Sequence, residues 1–141
     1  MDIEKISISE WKSKYMNMFY YKTFNEFRNE LDEKSDFILI AFHNNSPVGF
    51  VTCLELDNET IYWQFGGAFD EIKRSYMVSE KYKGFIEYIK NNYKNYKRIT
   101  TKIENTNFSM IKLAMKYGFL INGVNSFKNK TFLHLINEFG G

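Results

Sequence analysis

Between Ile61 and Glu87 the chain reads IYWQFGGAFDEIKRSYMVSEKYKGFIE, and its charged and polar groups crowd the middle: Lys73 and Arg74 stand just ahead of Ser75, Tyr76, Met77, Val78 and Ser79. From there Val78, Tyr82, Phe85, Ile86, Ile89 and Tyr93 recur at helical spacing, so a helix begins near Ser75. The first turn of a helix carries unpaired N–H groups at the positive end of the dipole. With two cations beside it, that turn suits an anion such as the pyrophosphate of a nucleotide-like cofactor, which is the favoured role of Arg74 over that of a solvated charge beside Lys73. Upstream, Ile61, Trp63 and Phe65 alternate with Tyr62, Gln64 and Gly66, as in a strand with one buried face, until Gly66-Gly67 breaks the pattern. A strand that runs into a helix leaves a pocket at the junction. Trp63 and Gln64 are its candidate substrate contacts, Trp63 fitting core and groove wall equally well.

Other reactive side chains are scattered. Glu55 and Glu59 flank the turn before this strand and Asp70 follows it; each is a weak candidate for a base acting through water, since surface carboxylates are usually solvated. Cys53 lies in an apolar run and reads as a small buried hydrophobe, while His43 falls in a turn and His134 in a terminal strand. One cysteine and two isolated histidines make no disulfide and no ligand set, so no metal is expected. Asn107 heads a short helix and can both cap it and touch a ligand.

These residues must be positioned by a chain of 141 residues, the size of one domain with a real core (1–141). With 44% hydrophobic and 18% aromatic residues it is not a disordered sequence, and a net charge of +2 is too small to imply nucleic acid by bulk electrostatics. The basic run Lys90, Lys94, Lys97, Arg98 and Lys102 is the one candidate nucleic-acid patch, and a helix C-terminus explains it as well. No apolar run approaches the roughly twenty residues of a membrane helix, and the N-terminus lacks an apolar leader. A cytoplasmic protein is the expectation.

Read in order, Ile3 to Ile8 alternates as a short edge strand, Ser9 to Phe19 reads as a helix capped by Ser9, and Thr23 to Glu33 as a second helix with a capping box from Thr23 to Glu26. Asp36 to Phe42 is almost wholly apolar, as in a strand covered on both faces. Val48 to Leu56 returns as its hairpin partner, and the strand from Thr60 completes a meander. After the long helix, Lys97 to Ile103 is a strand, parallel to the one before the helix by the crossover rule. A helix from Phe108 to Tyr117, closed by Gly118, leads to a hairpin of Phe119 to Val124 and Thr131 to Ile136.

This order resembles the GNAT superfamily of N-acetyltransferases. The turn Asn44-Asn45-Ser46-Pro47-Val48-Gly49-Phe50 looks like that family's second turn, and Asn107 to Phe119 is similar to its N-x-x-A-x-x-L-Y-x-K-x-G-F ending. Phe69 to Ser79 lies where the family has a strand end followed by R-x-x-G-x-G/A, with Arg74 at the arginine, Met77 and Ser79 at the glycines. Within the family, the chain looks most like small acetyltransferase-like proteins of tailed bacteriophages.

The resemblance implies an α+β fold: a mixed, mostly antiparallel central sheet with helices on both faces and a parallel strand pair that splays at the cofactor site. It implies an acyl-CoA-dependent N-acyltransferase, using acetyl-CoA or another acyl-CoA on a primary amine of a small molecule or protein. Cofactor contacts would be Phe69, Lys73, Arg74, Ser75, Tyr76, Met77, Val78, Ser79 and Asn107, the Phe69 backbone N–H serving as oxyanion donor. The family tyrosine often assigned as general acid would stand at Ala114, which has no proton to give. The alternative is a catalytically degenerate GNAT-fold protein acting as a structural or interaction component, for example a homo-oligomer or a virion part.

Overall fold

A computed structural model of the chain describes residues 1–19, 35–68 and 76–139. The expected helix from Thr23 to Glu33 lies outside the described residues. The apolar run after Asp36 becomes β2 (Phe37–His43), and its alternation serves two cores at once. Phe37, Leu39 and Ala41 join one cluster, whereas Ile38 and Ile40 join the other on the opposite face. A strand clothed on both sides has no need of polar alternation.

Before it, β1 (Asp2–Ile6) pairs antiparallel with β2, and Ser7 ends the strand by capping a helix. The Ser7 hydroxyl accepts a hydrogen bond from the Glu10 N–H at 3.2 Å, so the cap is Ser7 and not the expected Ser9. This helix, α1 (Ile8–Glu10), widens into a π-helical turn over Trp11–Tyr15. Trp11 and Phe19 pack with Phe50 over the second face of the sheet, with ring centroids 5.0 and 5.1 Å from that of Phe50.

β2 turns into β3 (Ser46–Glu55) through Asn44 and Asn45, both at positive φ, 50° and 65°. Two left-handed residues in succession form the tight turn whose twist matches an antiparallel hairpin, and asparagine tolerates that geometry. Pro47 is thus drawn inside β3, opposite Phe42 at a register shift. β4 (Thr60–Ala68) completes the meander; α2 (Tyr76–Asn92) crosses the sheet to β5 (Arg98–Glu104); α3 (Phe108–Lys116), β6 (Leu120–Phe127) and β7 (Lys130–Glu138) follow. Asn107 accepts from the Met110 N–H, capping α3, and Gly118 takes φ +101° just past its end, the left-handed position glycine fills without strain.

The seven strands form one sheet in the order β1-β2-β3-β4-β5-β7-β6, antiparallel throughout except for β4 with β5. Helices α2 and α3 cover the first face and α1 the second, the mixed α+β architecture expected. Among the described residues no helix is long and apolar enough to cross a membrane. Cys53 is fully buried in the first cluster, and burial pushes its thiol well above the ordinary value. A thiol reagent such as Ellman's is expected to leave the native protein unmodified and to titrate Cys53 only as urea unfolds it; prompt native labelling would refute this placement.

Candidate functional site

The parallel pairing of β4 and β5 is short. It runs from Thr60 opposite Arg98 to Trp63 opposite Thr101, where the Thr101 hydroxyl donates to the Trp63 carbonyl at 3.1 Å. Beyond that rung, among the described residues, each strand keeps only its outer neighbour: Gly66, Gly67 and Ala68 stay with Val51, Phe50 and Gly49, while Lys102, Ile103 and Glu104 stay with His134, Leu133 and Phe132. The sheet therefore splits, and the flanks of the split carry main-chain groups with no strand opposite. A cavity of about 720 Å³ opens there, bounded by β4, β5, the first two turns of α2 and the start of α3.

A bulge steers this end of β4. Cys53 faces Trp63 and Val51 faces Gly66, so β4 spends one residue more than β3 over the same span. Thr52 stitches the irregularity, accepting from the Phe65 N–H at 3.0 Å. The extra residue reverses the alternation: Trp63 packs in the first cluster, but Phe65 packs against the second. The expectation that Ile61, Trp63 and Phe65 share a face is corrected at Phe65 for that reason.

Trp63, Gln64, Val78 and Asn107 are brought together around the cavity. Trp63 is buried against Tyr82 and Phe119, ring centroids 5.5 and 5.8 Å away, and is both core and wall. Among the described residues its indole nitrogen has no hydrogen-bond partner. Gln64 accepts from the Ser35 hydroxyl at 2.6 Å. Met77, Val78 and Ser79 lie in the first turn of α2, half-buried, with the Ser79 hydroxyl bonded to that of Tyr117 from beyond α3. Phe69, Asp70, Lys73, Arg74 and Ser75 lie outside the described residues, as does the side chain of Tyr76.

Glu55 and Glu59 are placed elsewhere. Glu55 accepts from the Tyr96 hydroxyl at 2.8 Å, and Glu59 pairs with Lys97 at 3.2 Å and Arg98 at 3.5 Å, around the start of β4 and away from the split. That engagement also draws Lys97 and Arg98 out of the basic run. Ala114 is fully buried in the core, so the position matching the family tyrosine presents no side chain to the cavity.

Two ionisable residues at the cavity escaped the sequence reading. Glu104, at the end of β5, is half-buried on the cavity wall; it looked like the start of a loop. Lys81, on the second turn of α2, is only 7% exposed. Its position falls between Val78 and Tyr82, and no polar pattern marked it. The ammonium donates to the Gly67 carbonyl at 3.2 Å and lies 5.8 Å from the centre of the Phe85 ring. Its methylenes cross Gly49, where a Cβ would stand 2.3 Å from the Lys81 Cδ. Among the described residues no carboxylate pairs with it, and burial lowers its pKa to about 8. The same burial raises the Tyr82 phenol. In chemical terms the described residues of the site combine an apolar slot between parted strands, the Glu104 carboxylate and, in Lys81, a readily deprotonated amine.

A scan against protein-family models finds no match, and a search of curated proteins finds none either. Solved structures do match. A GNAT family acetyltransferase from Elizabethkingia anophelis with acetyl-CoA bound superposes with a TM-score of 0.77 at 17% identity, covering 98% of this chain and 97% of that one. A Bacillus subtilis acetyltransferase in complex with CoA gives 0.75 at 14% identity, over 97% of each chain. AAC(6')-Ib in complex with ribostamycin and coenzyme A gives 0.69 at 13%, over 96% and 92%. At these identities the likeness shows the fold.

Proposed function

We propose that this chain, whose fold is that of GNAT acetyltransferases, is an acyl-CoA-dependent N-acyltransferase that uses acetyl-CoA or a close relative and acts on a primary amine of a small molecule or protein. The observation that carries the reading is the split between β4 and β5 past Trp63 and Thr101, opening on a cavity at the head of α2. The fit to such a cofactor rests on the same feature: a slot between two strands that have parted from each other suits an extended amide-bearing arm. Acyl-CoA would supply an acyl group already activated as a thioester. Arg74 and the first-turn N–H groups of α2, including those of Met77, Val78 and Ser79, would hold phosphate. The Phe69 N–H would hold the thioester oxygen as it gains charge. Glu104 stands on the cavity wall and takes the proton from the incoming amine. Trp63 and Val78 keep water from the acyl group.

Calorimetry with acetyl-CoA tests this directly. Saturable binding is expected, weakened at least tenfold in Arg74→Ala, a loss of about 1.4 kcal/mol. Glu104→Gln is expected to lower kcat roughly 10²-fold with little change in KM for the cofactor. Absence of binding at millimolar acetyl-CoA would remove the enzyme reading.

Two observations favour a second reading, a degenerate GNAT-fold protein serving as an interaction or virion component. The buried Ala114 gives the departing thiol no donor, and the Ser79 hydroxyl is turned to Tyr117. A thermal shift without response to CoA, together with a stable oligomer or particle association, would support it.

A further inference from the structure

We propose that Lys81 is itself an acyl acceptor: the amine at the β4–β5 split takes an acyl group from a thioester lodged in the cavity. The inference rests on the cofactor reading for its natural donor, but its geometry is independent of that reading. Lysine buried without a carboxylate is costly, and the surroundings of Lys81 fix its place. Gly49 offers no Cβ where the chain crosses, and the Gly67 carbonyl holds Nζ at 3.2 Å, on the part of β4 that has lost its parallel partner. The cavity wall around it is apolar, with Val78, Phe85 and Trp63. A small acyl group would be desolvated there, next to a nitrogen with hydrogens to spare.

The step balances without a further reagent. The uncharged Nζ attacks the thioester carbonyl carbon, the C–N bond forms and the C–S bond breaks. The thiol leaves as thiolate and recovers the proton released by the nitrogen. The products are one amide on Lys81 and one free thiol, with no change of oxidation state. The amide carries no charge, so the modification also removes a buried cation. Among the described residues, the titratable groups sharing this cavity with Lys81 are Tyr82 from α2 and Lys102 and Glu104 from β5; β3, β4 and α3 contribute none to it. At a pH near 8 about half of the Lys81 amines are uncharged, whereas an ordinary lysine is almost wholly protonated.

The test is mass spectrometry of the unmodified chain after exposure to two probes: acetyl-CoA, and S-acetyl-N-acetylcysteamine, a thioester without the nucleotide. Acetylation is expected at Lys81 roughly tenfold or more ahead of exposed lysines such as Lys12 and Lys83, an advantage that follows from the larger neutral fraction. It is lost in Lys81→Arg and reduced in Gly49→Ala, where the added methyl displaces the side chain. Labelling of Lys81 by the small thioester, with no acetyl-CoA binding by calorimetry, would sustain this inference while the cofactor reading fell. Acetyl-CoA binding without preferential modification of Lys81 by either probe would overturn the inference and leave the cofactor reading intact. Labelling in proportion to lysine exposure also overturns it.

Discussion

Truncating Trp63 to alanine is expected to cost about 4 kcal/mol of folding stability, read as a fall in the urea midpoint with an unchanged slope. The ring is 4% exposed and meets Tyr82, Phe85 and Phe119, so its removal strips one wall from three aromatic neighbours at once. The neighbouring cavity can admit water to the void, which moderates the loss, but no polar partner awaits that water at the indole position. Trp63→Phe discriminates between packing and polarity. It leaves a smaller void, costing about 1 kcal/mol, and removes an indole N–H that has no acceptor, a gain of similar size. Near-neutral behaviour of the phenylalanine variant beside a large loss in the alanine variant is the expected pair of results. A loss in Trp63→Phe as large as in Trp63→Ala would mean that the indole nitrogen makes an essential bond.

Lys81→Met is expected to stabilise the protein at neutral pH by about 2 kcal/mol. The lysine pKa falls from the ordinary 10.5 to about 8, a gap equivalent to roughly 3 kcal/mol of penalty on the charged form. Methionine has a similar reach and no charge, and it forgoes the bond to the Gly67 carbonyl, a loss of about 1 kcal/mol. Below pH about 8 both folded and unfolded lysines are charged, and the native protein bears the full penalty. Between about 8 and 10.5 the native state has released its proton while the unfolded state still holds one, so the native protein gains stability relative to the variant as pH rises. The advantage of the methionine variant therefore shrinks through that interval, vanishes within it, and gives way near its top to a deficit of about 1 kcal/mol, the lost bond to the Gly67 carbonyl. Urea titrations of both proteins at neutral and alkaline pH measure it; a variant weaker than the native protein at neutral pH, with no dependence on pH, would contradict it.

How much of this was readable from residues depends on the scale of the signal. Continuous apolar stretches such as FILIAF and helical spacing such as Val78, Tyr82, Phe85 and Ile89 are set by many residues at once, and the meander, the crossover and the terminal hairpin followed from them, whereas the place of β7 between β5 and β6 did not. The split followed too, from the resemblance. Single-residue geometry was less legible. The bulge at Gln64 and Phe65 was hinted at only by Gly66-Gly67, so the face of Phe65 came out reversed. Ser7 and Ser9 are both plausible caps, and the choice was made by the Glu10 N–H. Glu104 was hidden because strand β5 ran one residue further than its β-branched stretch. Lys81 was hidden for a different reason: its burial depends on a missing side chain at Gly49, more than thirty positions away, and periodicity carries no information about that pairing.

The brevity of the β4–β5 ladder also bears on how the molecule is assembled. Its rungs, Thr60 with Arg98 to Trp63 with Thr101, are the shortest ladder of the sheet, and among the described residues they are all that joins the β1 to β4 meander to the β5, β7 and β6 group strand to strand. Docking of the two half-sheets thus rests on few main-chain bonds, and the ligand slot comes into being only with it. A chain halted just short of it would expose the raw borders of β4 and β5 together, a species prone to pair with its own kind.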